Sequence, residues 1–525
     1  MPSINKILTA KILWVTVLAL AVRLATVSRT GLTDDESNGI AIALTGGLGD
    51  LISHLKNDGN APFAYMLLRL YTTIAGDSDA SVKFAVILMG TLTVPLIYFL
   101  FRKDLPERLN LQICLLTALS PSLVRWGNLV RPYGTLVVTA FISTFACIKS
   151  LDKKASSWWI PVYGMATAAL VYSHYWGAFV PVGQAGLALI GLARRWFGWA
   201  ELKRWLLGVA ISLVFFAPQL PILSYQLKHV VDLWDQISSM IRLIPDFLPM
   251  IVVCDGSGFE SAICTFLLIA AMLAPSAIIK DEDGKVLFDG RYWKVLTLCG
   301  LLGCFLVSFF LPTMRFRYTV SFVPLLFIMY VTGIDSLFQQ SPARVRFFLT
   351  SGIWVMIFIT PLYLLSTEPE TSSRLVVQKI VDQCVPDRTL VFVSWQGFAP
   401  AVCRYLPRDI ECIAYPDMKR PTFNDWSDMN AKMQDPDRLP LLYERFQKVL
   451  DRDGELWVID ATPDLQSKPW QQRNISRKMS MLKANKYRMQ QVRGWLEAHA
   501  SQKGKISVAP GRDVTAYISV WRRNP

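Results

Sequence analysis

The sequence predicts a polytopic α-helical membrane protein of about eleven transmembrane helices, ending in an extracytoplasmic α/β domain. Three observations lead there. Of the 525 residues, 52% are hydrophobic and only 18% charged, against roughly 25% charged in an ordinary soluble domain. The apolar residues come in long uncharged runs, not amphipathic stripes. Beyond about residue 366 those runs stop, and short strand-like and helix-like patterns alternate instead. Disorder, collagen and small disulfide frameworks are excluded.

A span needs about 20 mostly apolar residues. Runs of that size occupy 7–28, 80–101, 109–126, 133–150, 158–175, 177–193, 204–222, 259–280, 294–312, 316–336 and 346–366. The first carries Arg23 and has no clear small-residue cleavage site, so it reads as an uncleaved signal-anchor. Of the 29 Lys and Arg before residue 367, 18 fall in short connections on one face. By the positive-inside rule that face and the N-terminus are cytoplasmic, and the C-terminal domain lies outside a cell (inner) membrane. The net charge of +14 is accounted for in this way, without a nucleic-acid partner. Nine scattered cysteines show no C-x-x-C and no metal-ligand spacing.

Two domains follow, 1–366 and 367–525. Within the first, the outer loop 29–79 reads as a helix over 36–55 and a short apolar helix over 62–75, both in the interface plane. A second outer segment, 223–258, is mixed, with Asp232, Trp234, Asp235, Asp246 and Asp255. In the tail, strands are expected at 389–395, 410–416, 455–461 and 514–522, with helices at about 374–384, 439–451 and 469–500. The stretch 417–438 reads as a long loop, and Asn474-Ile-Ser476 fits a glycosylation sequon.

The chemistry-bearing residues cluster at the outer ends of the spans. Thr33-Asp34-Asp35-Glu36 follows the first span. It is a capping-box pattern, and equally a set of carboxylates able to serve as a base or bind a metal. Asp58-Gly-Asn60-Ala-Pro62 is a polar turn into the short apolar helix. Arg125-Trp-Gly-Asn128-Leu-Val-Arg131-Pro-Tyr133 places two arginines on the outer face, suiting an anionic partner or lipid headgroups. His174 sits in an aromatic turn, Tyr172-Ser-His174-Tyr175-Trp176, and Arg315-Phe-Arg317-Tyr318 opens the tenth span. Arg23 inside a span is costly, and so a candidate for function. Arginine forks suit a phosphate and a carboxylate suits removal of a hydroxyl proton. With this topology the phosphate is best carried on a lipid.

In their order and spacing, these motifs resemble bacterial members of the protein O-mannosyltransferase-like, GT-C class of glycosyltransferases, over residues 10–340. The resemblance implies transfer of a sugar from a polyprenyl-phosphate donor to an extracytoplasmic protein, lipid or glycan acceptor, with inversion at the anomeric carbon. It puts the acidic pair on Asp35 and Glu36, Asp35 as base, with Glu36 supporting it or joining Asp34 around a divalent cation, Mg or Mn. Arg131, Arg315 or Arg317 would stabilise the departing phosphate. Asp58, Asn60, Tyr133, His174, Tyr318 and Arg23 complete the expected substrate contacts. One departure stands out: many relatives carry an acidic residue where this chain has Leu129. Two other readings compete, a non-catalytic binder or transporter of lipid-linked glycans and an ion-coupled secondary transporter. The latter needs midplane ionisable groups and paired broken helices, which the sequence lacks.

Overall fold

The computed structural model describes residues 2–27, 31–230, 249, 251–253, 258–308, 316–367, 373–460, 478–507 and 517–524. The chain divides into two compact units. One comprises Met1–Val27, Ala61–Leu220 and Ser239–Glu368, the other Ser28–Asn60, Pro221–Ser238 and Pro369–Pro525. Residues Ser28–Asn60 of the 29–79 segment therefore cluster with the C-terminal region, not with the helices that flank them in sequence.

The first unit is a bundle of apolar helices. Among the described residues, seven helical segments are long and apolar enough to cross a membrane, including Asp79–Phe101, Tyr133–Ser150, Gly290–Val307 and Ala343–Thr367. The other expected spans are also helical, with corrections. The stretch 109–126 is two helices, Glu107–Leu119 and Pro121–Gly127, because Pro121 has no amide proton to continue the first. The run 259–280 ends as a helix at Leu273, and its last residues enter a hairpin of β1 (Ile278–Lys280) and β2 (Val286–Asp289).

Tight helix crossings rely on small residues. A Cβ on Gly183 would lie 2.2 Å from the Leu296 carbonyl oxygen, so helix Phe179–Ala193 meets helix Gly290–Ser308 backbone to backbone. A buried polar chain crosses the bundle: Tyr163 Oη donates to Gln184 Oε1 (3.0 Å), Gln184 Nε2 donates to Ser143 Oγ (2.9 Å), and Ser143 bonds Thr167 (2.7 Å). Cations of the basic connections are paired: Arg108 with Asp335 at 2.5 Å, Lys149 with Asp104 at 2.8 Å and Lys11 with Glu107 at 3.1 Å.

The second unit is α/β. Its five-stranded sheet has the order β4-β3-β5-β7-β6, with β3 (Thr389–Val393), β4 (Glu411–Ala414), β5 (Glu455–Asp460), β6 (Ala500–Ser507) and β7 (Tyr517–Arg523). β3 pairs in parallel with both β4 and β5, and β7 runs antiparallel to β5 and β6. β3 is buried throughout, as a central parallel strand covered on both faces requires. The amphipathic helix Arg438–Leu450 turns Leu439, Leu442, Phe446 and Leu450 into the core.

One tail expectation needs correction, and two elements are additions. The 417–438 stretch contains a helix, Met429–Gln434. The last helix, described from Lys478, ends at His499 and leads into β6, a polar edge strand without apolar alternation. Helix Ala399–Tyr405, between β3 and β4, is an addition to the sequence reading. The 36–55 helix is likewise two helices, Asp34–Leu44 and Leu48–Asp58, interrupted at Gly46-Gly47. Residues 231–248 and 254–257, with Asp232, Trp234, Asp235, Asp246 and Asp255, and the Asn474 sequon lie outside the described residues.

Because Gly183 permits a backbone contact, Gly183→Val is expected to cost about 1–3 kcal/mol by overpacking. The thermal midpoint of the solubilised protein should fall; an unchanged midpoint would contradict this helix pairing.

Candidate functional site

The expected site residues fall into two sets, one in each unit, and each is described in its own frame. The acidic set belongs to the α/β unit. Thr33 is the N-cap of helix Asp34–Leu44 and forms a reciprocal capping box with Glu36. Glu36 N–H donates to Thr33 Oγ1 (3.3 Å), while Glu36 Oε2 accepts from Thr33 N–H (2.9 Å) and Thr33 Oγ1 (3.0 Å). Glu36 is fully buried, whereas Asp34 and Asp35 are partly exposed on the same first turn. Acidic side chains suit the first turn of a helix, where the dipole is positive. The local fold thus sorts three similar residues: Glu36 closes the helix, and Asp34 accepts from the Asp35 amide at 2.9 Å.

Asp58 and Asn60 join this set through a buried chain. Asn38 Nδ2 donates to Asp58 Oδ1 (2.9 Å), and Asn60 Nδ2 donates to Asp58 Oδ2. Asn38 Oδ1 accepts the Asn424 amide proton at 2.8 Å. Asn38, Asp58 and Asn424 are each at most 4% exposed, so their partners decide whether burial is tolerable. Gly59, at φ +85°, provides the left-handed turn between Asp58 and Asn60. Alongside, the His54 ring stacks on Phe423 at 3.8 Å. Burial depresses its pKa, partly offset by Asp50 and Asp425. Leu32 N–H donates to Tyr405 Oη at 3.0 Å, fastening the start of the acidic helix to helix Ala399–Tyr405.

The basic set belongs to the helical unit and is built from helix ends. Arg317, on the 3₁₀ turn Phe316–Phe322, holds its guanidinium 5.5 Å from the Tyr318 ring, 5.9 Å from Tyr133 and 6.0 Å from Trp126. Arg125 lies 4.9 Å from the other partner ring, Trp126. His174 packs 4.6 Å from Tyr318 and 6.1 Å from Tyr133, with Arg131 and Arg317 both in electrostatic reach. Its Nδ1 accepts the Trp176 amide proton at 3.2 Å, which leaves Nε2 as the protonated nitrogen of the neutral ring. Arg131, Tyr133, His174, Arg317 and Tyr318 are therefore brought together; Arg315 lies outside the described residues.

Arg23 is placed differently. It is fully buried and donates to the carbonyls of Ala19 (3.1 Å) and Ala118 (3.4 Å). Asn128 Nδ2 donates back to the Arg23 carbonyl (3.0 Å) and to Thr26 Oγ1 (3.1 Å). Arg23 and Tyr133 line a cavity with room for about one water, about 10 Å³ for its centre. Among the described residues, no three His, Cys, Asp or Glu side chains converge to hold a metal ion.

Sequence reasoning passed over Trp126, Asn38 and Asn424 as site residues. Trp126 stood inside the Arg125–Arg131 motif, and its ring could have been read as a guanidinium partner. Asn424 carries no local signal, because its partner Asn38 is 386 positions away.

Residues 59–222 match the profile of the dolichyl-phosphate-mannose-protein mannosyltransferase family. No curated protein matches the chain by sequence. Among solved structures, the chain resembles ArnT from Cupriavidus metallidurans bound to undecaprenyl phosphate, with TM-score 0.59 and 13% identity over 97% of this chain and 98% of that one. The apo state of the same protein gives 0.55, at 13% identity and 98% coverage of both. The arabinofuranosyltransferase AftD from Mycobacteria gives 0.51 at 13% identity, covering 98% of this chain and 40% of that one.

Removing one member of the buried chain should loosen the acidic helix. Asn38→Leu leaves Asp58 Oδ1 without that donor and is expected to cost about 1–3 kcal/mol. Hydrogen exchange over residues 34–44 should accelerate; unaltered protection there would refute the role given to Asn38.

Proposed function

We propose that the chain is a multi-pass membrane glycosyltransferase of the GT-C, protein O-mannosyltransferase-like type, and that its donor is a polyprenyl-phosphate-linked sugar. The observation that carries this reading is the arginine–aromatic nest of Arg317, Tyr318, Tyr133 and Trp126 beside His174. A guanidinium beside ring faces and a histidine makes a surface suited to a phosphate, the charge a lipid-linked donor presents.

In this reading Asp35 takes the proton of an acceptor hydroxyl as that oxygen attacks C1 of the sugar. The new O–C1 bond forms as the bond from C1 to the phosphate oxygen breaks, and the anomeric configuration inverts. Arg131 and Arg317, with Arg315, stabilise the charge that collects on the leaving phosphate. His174 offers its Nε2 proton to the same group, and Tyr133 and Tyr318 orient it. Glu36, engaged in the cap, supports Asp35 instead of competing with it. Asp58 and Asn60 hold the helix that carries Asp35, and Arg23 holds the Asn128 turn ahead of Arg131. The acceptor is a protein, lipid or glycan hydroxyl outside the cytoplasm. The N-terminus is cytoplasmic and the α/β region lies outside the inner membrane, a reading supported by the Lys and Arg excess in the short connections of one face.

A divalent cation fits this proposal in one form. Mg²⁺ or Mn²⁺ would bind Asp35 and Glu36 and take its other ligands from donor phosphate and water, as such ions do where a protein supplies one or two carboxylates. It would lend positive charge to the phosphate.

The test is transfer of labelled sugar from a panel of polyprenyl-phosphate donors in nanodiscs. Asp35→Asn is expected to lower kcat by about 10²–10⁴-fold, the range of a general base, with donor KM little changed. Retained turnover in that variant would overturn the assignment. Chelation addresses the cation separately: loss of transfer with EDTA and its return with Mg²⁺ or Mn²⁺ is the expected result. Transfer that survives exhaustive chelation would remove the ion and leave Asp35 as base.

A further inference from the structure

Three of the nine cysteines lie in the C-terminal region, Cys384, Cys403 and Cys412. The fold sets two of them against each other. Cys403 sits near the end of helix Ala399–Tyr405, and Cys412 lies within β4, paired in register with Val391 of β3. Their sulfurs are 3.1 Å apart.

The approach is imposed by the backbone, not by the thiols. The turn between helix and strand is pinned by Arg420, whose guanidinium donates to the carbonyls of Ile410 (2.8 Å), Leu406 (2.9 Å) and Pro407 (3.3 Å). That closed turn and the place of β4 in the sheet set the end of the helix beside the strand. Cys412 is 1% exposed and Cys403 partly buried. The hydrogen-bonded Cys403 and, after it, burial push the Cys412 thiol up, away from reactive thiolate character. That combination suits a structural crosslink better than a nucleophile or a metal site.

We infer that Cys403 and Cys412 form a disulfide in the mature protein. The inference rests on the outward placement of this domain, where oxidising conditions let such bonds persist. The two thiols lose two hydrogens as the S–S bond forms. An oxidised dithiol carrier protein accepts them by exchange through a mixed disulfide and leaves as its dithiol. The crosslink would tie helix Ala399–Tyr405 to the sheet. That helix carries Tyr405, which accepts from the Leu32 amide next to the Thr33 cap. The bond therefore braces the platform on which the acidic helix begins.

The experiment is thiol trapping on full-length protein in intact cells, followed by alkylation under denaturing conditions and peptide mass analysis. Cys403 and Cys412 should appear as one linked peptide pair that alkylates only after reduction, while Cys384 alkylates without reductant. Reductant should also lower the thermal midpoint of the wild type to that of Cys403→Ser, and leave Cys403→Ser unmoved. Quantitative alkylation of both cysteines without reductant would overturn the inference. Glu444→Cys, on an exposed helix face, reports the side of the membrane through a membrane-impermeant maleimide. If Glu444→Cys is labelled from outside while both thiols are free, the crosslink fails and the topology stands. If it is labelled only after lysis, the crosslink fails together with the topology, and sugar transfer measured on the same preparation judges the glycosyltransferase reading independently.

Discussion

The acidic first turn of helix Asp34–Leu44 is held in place by something other than its own charge. In this chain the holding is done by the buried sequence of amides and carboxylate that runs from Asn60 through Asp58 and Asn38 to Asn424. Asp58, Asn38 and Asn424 are buried, so each depends on its partner, and breaking one bond leaves a buried polar group to bear the cost of burial. Helix Asp34–Leu44 is short and would be marginal by itself. Its position comes from that chain, from its own cap and from Tyr405 behind Leu32.

This constraint explains why three adjacent acids need not share one role. Glu36 is buried and closes the helix, while Asp34 and Asp35 stay partly exposed on the same turn. In the helical unit a parallel logic holds for the cations. Arg23 is wholly buried and bonded to carbonyls, and Arg108 and Lys149 are paired with carboxylates. Arg317 is set among the rings of Tyr318, Tyr133 and Trp126.

The helical character of 1–366 was legible because a bilayer leaves the backbone few alternatives, and the long apolar runs record that directly. The acid, arginine and histidine motifs could be read because each stands at a helix end, where polar residues interrupt apolar text. What escaped reading depends on distant partners. Nothing around Asn424 signals that its amide meets Asn38, and nothing around Cys403 or Cys412 signals that Arg420 closes the turn between them. The break at Ser120–Pro121 was hidden inside an unbroken apolar run, and β6 was missed because an edge strand needs no apolar alternation.

The central claim is a single displacement, in which Asp35 frees the acceptor oxygen and arginines receive the leaving phosphate. The most direct measurement is the anomeric configuration of the transferred sugar, compared between lipid donor and product by NMR. The account predicts inversion, since one attack on C1 reverses its configuration. Retention would require a second displacement through a glycosyl-enzyme intermediate, and would contradict the role given to Asp35.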